Sequence, residues 1–469
     1  MSRDRRPILF VSSPDSGLIN PQLVLAAELS RRDVPGLYFA TSDNRREEVE
    51  AIGADGTGST VAFRSLGAPI PELSSGAWDD ETYAAVTQQS RWKAHKALMR
   101  QTFDTRFRNA SYRALEKIVR EVEPALMVID SLLHAGFELA VTYGIPYVVS
   151  APFSPSNLVN KLPKTFPAPH SGLPLDMTPQ QRRENNAFRR RRGRLFIADS
   201  LLRKRVVEYV KSNKELGVSR LAAKYTSRID QARLVFSYTL AELDYPLEVP
   251  EHFRMLGAIL PPIPELPDEQ DVKGWLDRHE SVVYMGFGTV ARLGATEVAN
   301  LVEVVRRLYG DHSVLWRLPA AAHKLLPDDL PSNLRIEKWL PSQLDVLAHP
   351  HVRAHFTHGG GNGFVESLYF GKPLLTRPLF VDCYDQAVRG RDLGVGLVVD
   401  RPEIVDVDDT VAKLTEVLRN PEFTTRAREI ARLQHEPGRG REAAADLLLS
   451  LVADEHAAPS PTPSARLAR

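Results

Sequence analysis

The sequence predicts an α/β protein made of two doubly wound parallel-sheet domains, and three observations lead there. Short apolar runs alternate with longer amphipathic stretches along most of the chain, the pattern of parallel strands joined by helical crossovers. That alternation occurs twice, interrupted by Leu256–Pro267, whose prolines fit neither a helix interior nor a central strand. A chain of 469 residues also exceeds what one hydrophobic core usually fills.

In the first half, strands are expected at Ile8–Val11, Gly36–Ala40, Leu126–Ile129 and Tyr147–Ser150. The helix after the first strand should begin near Asn20-Pro21, because proline at a first helical position sacrifices no hydrogen bond, and should run to Ser30. The second half repeats the pattern at Ser281–Phe287, Val314–Arg317, Leu334–Glu337, Ala354–Thr357 and Lys372–Leu375. Residues 1–250 are thus assigned to a first domain, 251–275 to a Pro-rich linker, 276–455 to a second domain, and the small, Pro-rich 456–469 to a disordered tail. Ligand sites in such folds lie at the carboxyl ends of strands, in the cleft between the domains.

Composition narrows the function. Sixty basic against 59 acidic side chains argue against dedicated nucleic-acid binding, which needs a basic surplus. The single cysteine, Cys383, excludes an internal disulfide or a Cys-rich metal cage and calls for no oxidising compartment. The charged N-terminus precedes only four apolar residues, and no run is long enough for a signal peptide or a membrane span. The expectation is a cytoplasmic protein, monomer or homodimer, acting on small molecules. The run Arg189–Arg192 reads first as a solvated helix face, with an acidic-acceptor or membrane-surface patch as the alternative.

The densest chemical signal is the block Trp339–Glu366. A strand ends at Thr357, glycines 359–361 follow, and a helix starts near Asn362; bare amides at a helix N-terminus make an anion site. His358 can add a donor or a positive charge, Trp339 offers a flat face for a base, and Glu366 lies one turn into the helix, where a carboxylate can accept from ribose hydroxyls. A nucleoside diphosphate fits this block. The spacing is neither a phosphate loop of ATPases nor a dinucleotide fingerprint. No Asp-x-Asp or ligand-spaced cluster lies nearby, and strand alternation keeps His349, His351, His355 and His358 from converging, so no metal or other cofactor is expected.

The block from Trp339 to Gly396 resembles the nucleotide-sugar signature of the family 1, UDP-glycosyltransferase-like enzymes, of bacterial natural-product type. Supporting matches are Gly17–Pro21, Asp130, Gly144–Pro146, Glu242–Pro246, Trp275-Leu276 and Ser281–Thr289, so the resemblance covers roughly residues 7–445. It implies the GT-B fold: two Rossmann-like domains, the first binding the acceptor and the second the donor, with the last helix packing back on the first. It implies metal-independent, inverting transfer from a UDP- or dTDP-sugar to a small, apolar or aromatic acceptor. By position, Trp339 would stack on the nucleobase, Glu366 bind the ribose, and His358, Gly360, Asn362 and Gly363 line the diphosphate, with Gly288 and Thr289 approaching from the other loop. Gly363 stands where many members have serine.

Three departures accompany the matches. The family's base histidine is Leu18, which cannot take a proton; its usual partner is matched by Asp130, with Asp15 and His134 the nearby candidates to substitute. In the ungapped register of Pro378–Gln386, Asp382 takes the acidic sugar-binding position and Cys383 that of glutamine, while Asp385-Gln386 falls three residues late. Ser342 is one extra residue after Trp339-Leu-Pro. An acceptor needing no strong base, or a GT-B protein repurposed for another reaction or as a weakly active partner protein, are the alternatives these departures leave open.

Overall fold

The computed structural model describes residues 7–263, 271–340 and 342–457. The first sheet contains β1 (Ile8–Val11), β2 (Leu37–Thr41), β3 (Val61–Ser65), β4 (Leu126–Asp130), β5 (Tyr147–Ala151), β6 (Leu234–Ser237) and β7 (Phe253–Met255), all parallel, in the order β3-β2-β1-β4-β5-β6-β7. The second contains β8 (Val282–Gly286), β9 (Ser313–Arg317), β10 (Leu334–Glu337), β11 (Val352–Thr357), β12 (Leu374–Thr376) and β13 (Gly396–Val398), also parallel, in the order β10-β9-β8-β11-β12-β13.

Helices cover both faces of each sheet, which is why the central strands β1, β4, β5 and β8 read as nearly continuous apolar runs. In β1, Ile8 and Phe10 enter one core and Leu9 and Val11 the other. Strand order reverses between β1 and β4 and between β8 and β11, opening a crevice at the carboxyl end of each pair.

The helix after β1 departs from expectation. It starts at Ser16 and encloses Pro21. Proline has no N–H to donate to the Gly17 carbonyl one turn back. That carbonyl instead accepts from the Asn362 side chain of the second domain, 3.3 Å away.

Strand β7 falls inside the expected linker, and the chain beyond it stays buried at Leu256 and Ala258–Leu260. Residues 264–270, which carry the linker's last prolines, and the expected tail from 458 lie outside the described residues. The helix Gly440–Ala457 lies on Ser16–Arg31, burying Ala444, Ala445 and Leu448 in the core that holds Ile8 and Phe10. Arg32 pairs with Asp446 at 2.5 Å and Arg441 with Glu28 at 3.2 Å along the same contact.

Elsewhere the lobes meet through an apolar cluster in which Leu240 and Leu243 pack with Phe364, Leu368 and Ile430, and through polar contacts. Arg389 pairs with Asp244 at 3.1 Å, both side chains 3% exposed, and donates to Ser156 at 2.8 Å. Arg292 pairs with Asp80 at 2.9 Å, and its amide donates to the Tyr83 hydroxyl. No helix among the described residues is long and apolar enough to cross a membrane.

Candidate functional site

Two loops at the reversal point of the second sheet frame the expected anion site. After β8 the chain turns at Gly288 (φ +72°), and after β11 at Gly359 (φ +76°), conformations in which a side chain would be strained. The His358 ring lies between these loops. A Cβ on Gly288 would stand 2.6 Å from His358 Cε1, and one on Gly360 2.5 Å from Nε2, so the imidazole fits because both neighbours lack side chains. Arg317 fixes the first loop by donating to the Gly288 carbonyl at 3.0 Å; Thr289, beyond the turn, is exposed.

The helix Gly361–Tyr369 starts here, and its first intrahelical partner of Gly360 is the Phe364 amide (2.9 Å), leaving the amides of Gly361, Asn362 and Gly363 at the open end. Burial lowers the His358 pKa to about 4. Burial thus favours the neutral ring, the hydrogen-bond donor of the two roles expected of it, and its Nδ1 is buried without a protein partner.

Behind the anion site a polar relay orients Glu366. Its carboxylate accepts from Gln343 Nε2, and Gln343 Oε1 accepts from the Tyr284 hydroxyl at 3.4 Å. Burial raises the Glu366 pKa, with Gln343 acting in the opposite direction. Gln343 was not singled out from sequence; its signal was the extra Ser342, which caps the helix Gln343–Ala348 by accepting from the Leu344 amide and so sets where Gln343 begins. Trp339 follows β10 with 59% of its surface exposed, a free flat face.

The four clustered histidines part ways: His349 meets Asp277 (3.0 Å), His351 the Leu276 carbonyl, and His355 Ser367 (2.6 Å), with His358 at the glycines. No group of three or more His, Cys, Asp or Glu arranged to hold a metal occurs among the described residues.

In the first domain, Asp130 ends β4 fully buried at the β1/β4 reversal. Its Oδ2 accepts from Ser13 Oγ at 2.5 Å and from the Ser13 amide at 3.0 Å, while Oδ1 accepts from the Leu132 amide at 2.8 Å. Burial raises its pKa to about 6 despite these donors, and Asp15 adds to the rise. Sequence reasoning missed Ser13, which lies one loop from its partner in space but 117 residues away in the chain.

The family profile described as UDP-glucoronosyl and UDP-glucosyl transferase matches residues 73–438. The chain belongs to this family. Mouse UDP-glucuronosyltransferase 2A1 is 26% identical over 330 residues, covering 69% of this chain and 60% of that protein, so the chain spans about 60% of the length of such curated relatives. Among solved structures, the glycosyltransferase of kitacinnamycin superposes with a TM-score of 0.68 at 19% identity, over 96% of this chain and 99% of its own. The calicheamicin glycosyltransferase CalG4 gives 0.66 at 20% identity, over 97% and 100%. The two domains thus form a GT-B fold.

Leu18, where the resemblance places the family's base, is buried, 7% exposed, in the first turn of its helix. The family match begins downstream of it. Asp15 occupies the N-cap of that helix yet makes no capping hydrogen bond. It is open to solvent, although the surrounding walls crowd it enough to raise its pKa, with Arg45 opposing. The structure does not bring His134 to Asp130: its helix starts at His134 itself, and the exposed ring packs toward Tyr225, 6.1 Å away.

In the sugar-binding segment the Cys383 carbonyl lies beside the Gly359 turn, and its buried thiol is pushed up in pKa. Asp382 is half-buried with a pKa raised to about 6 by burial, and it makes no capping bond although it precedes the helix Cys383–Asp392. Asp385 accepts from the His170 and Gly172 amides at 2.6 and 2.8 Å, so a loop shift that recruited it to the site would break both bonds.

Proposed function

We propose that this chain is an inverting, metal-independent glycosyltransferase that moves a sugar from a UDP- or dTDP-sugar to a small apolar or aromatic natural-product acceptor. One observation carries the reading. The Asn362–Gly17 hydrogen bond sets the open end of the diphosphate helix against the loop after β1, which carries Ser13 hydrogen-bonded to Asp130. Donor and base chemistry meet across one cleft.

In this mechanism Trp339 stacks on the base, Glu366 and Gln343 hold the ribose, and the departing diphosphate is met by the amides of 361–363, the helix dipole and the neutral His358 N–H. The acceptor oxygen attacks the anomeric carbon as the bond to the diphosphate oxygen breaks, inverting that centre. The acceptor proton passes to Ser13 Oγ, whose own proton moves to Asp130. A buried carboxylate with a pKa near 6 is a stronger base than an ordinary one and is still ionised at neutral pH. Asp382 and the Cys383 backbone face the sugar. The aromatic group Trp92, Phe188 and His95 supports an apolar acceptor.

Calorimetry should show UDP or dTDP binding, weakened at least about tenfold by Trp339→Ala or Glu366→Ala. A wild-type protein that binds neither nucleotide refutes the donor assignment. Product formation should require the sugar nucleotide and survive chelators; turnover without a sugar nucleotide would instead mark a repurposed cleft.

A further inference from the structure

The helical hairpin between β5 and β6, Pro179–Ala198 and Ser200–Glu215, serves the cleft with its inner side only. There Asn185 holds the Ala168 amide and the Phe166 carbonyl at 2.8 and 3.0 Å, and Phe188 packs on Trp92 and His95. The hairpin as a whole is strongly basic. Residues 179–215 contain twelve Lys and Arg against four Asp and Glu, a net charge of +8 in a chain whose total is +1.

Helical periodicity sorts these charges. At 3.6 residues per turn, Arg183, Arg190, Arg194 and Ile197 share one stripe of the first helix, opposite the buried Asn185, Phe188 and Leu195. On the second helix Arg203, Val207, Val210, Lys211 and Lys214 share a stripe about 100° wide, opposite the buried Leu202 and Asn213, while Glu208 and Glu215 fall outside it. All nine stripe residues are exposed, Ile197 by 72%, Val207 by 51% and Val210 by 62%. Arg183, Arg190, Arg194, Lys211 and Lys214 make no side-chain hydrogen bond or ion pair among the described residues.

We propose that this face docks on an anionic lipid bilayer. Unpaired guanidinium and ammonium groups flank exposed aliphatic side chains, the combination an interface needs: cations at the headgroup phosphates and short apolar groups at the acyl boundary. A polynucleotide would leave Ile197, Val207 and Val210 against phosphate and finds no aromatic platform in either stripe. Docking sets the inner aromatic side of the same hairpin just behind the membrane, where an apolar acceptor partitions.

The test is sedimentation of the full chain with phosphatidylcholine vesicles and with mixed phosphatidylcholine–phosphatidylglycerol vesicles at low ionic strength. The expected result is at least about tenfold stronger binding to the mixed vesicles, falling steeply with added salt. Val207→Asp/Val210→Asp and Arg190→Glu/Arg194→Glu, all at exposed positions, should each weaken binding at least about fivefold while thermal unfolding and nucleotide binding stay unchanged. Equal binding to neutral vesicles, no vesicle binding, undiminished binding by either double variant, or retention by an acidic protein without vesicle binding overturns the proposal.

Discussion

Replacing Asp130 by asparagine should remove the base and, at neutral pH, relieve the fold. Burial lifts this carboxyl from 3.8 to about 6. At about 1.4 kcal/mol per unit, ionising it in the folded protein costs about 3 kcal/mol. The folded chain holds a proton that the unfolded chain has released, so stability falls as pH rises from about 4 to 6 and stays lowered above that. Asparagine cannot titrate and lacks this slope. It also turns an amide N–H toward one of the backbone donors now facing the carboxylate, a cost independent of pH. The stability difference between variant and wild type should therefore shift by about 3 kcal/mol in the variant's favour between about pH 4 and pH 7.5, measured by urea unfolding. Over the same range kcat/KM of the wild type should show an acidic limb near pH 6, and turnover of the variant should fall by about 10²–10⁴. An unfolding difference equal at both pH values, or turnover close to wild type, refutes the assignment.

Other perturbations test the rest of the site. Asp15→Asn should move the acidic limb of the kcat/KM profile to lower pH, since Asp15 raises the Asp130 pKa; a loss of turnover by orders of magnitude would instead make Asp15 the base. Gly360→Ala should displace His358 and cost about 1–3 kcal/mol in thermal unfolding while weakening UDP binding; unchanged nucleotide affinity would remove the imidazole from the diphosphate site. At Gly363 a Cβ meets nothing closer than 3.9 Å, so Gly363→Ser should fold normally and tighten UDP binding about fivefold by one added hydroxyl donor, read by calorimetry. Arg389→Met should destabilise by about 3–5 kcal/mol in denaturant unfolding, because it leaves Asp244 buried without its ion-pair partner between the lobes.

The reading of the sequence succeeded where signals were local and strong. Fully buried β1 announces itself as an apolar run and was placed to the residue, as was the half-buried edge strand β10. Four strands were missed: β3 alternates apolar and polar positions as an edge strand, β7 and β13 hold three residues each, and β6, though apolar and fully buried, is only four residues long. The start of the helix after β1 was misplaced because a local rule about proline took no account of a rescue arriving from Asn362, 345 residues away. In the site, the glycines, His358, Trp339 and Glu366 lie in one short block and were legible. Ser13, the partner of Asp130, was not, since only folding joins β1 to β4.

The helix Gly440–Ala457 also bears on the order in which the protein can be made. The β1 face carrying Ile8 and Phe10 is covered in part by Ala444, Ala445 and Leu448, which are translated only after the second sheet. A nascent first lobe, with its sheet already translated, must therefore wait through the synthesis of the whole second lobe with part of its apolar surface bare. Deleting Gly440–Ala457 should leave that surface unsealed permanently, making aggregation during expression, rather than a lowered turnover, the first symptom of the deletion.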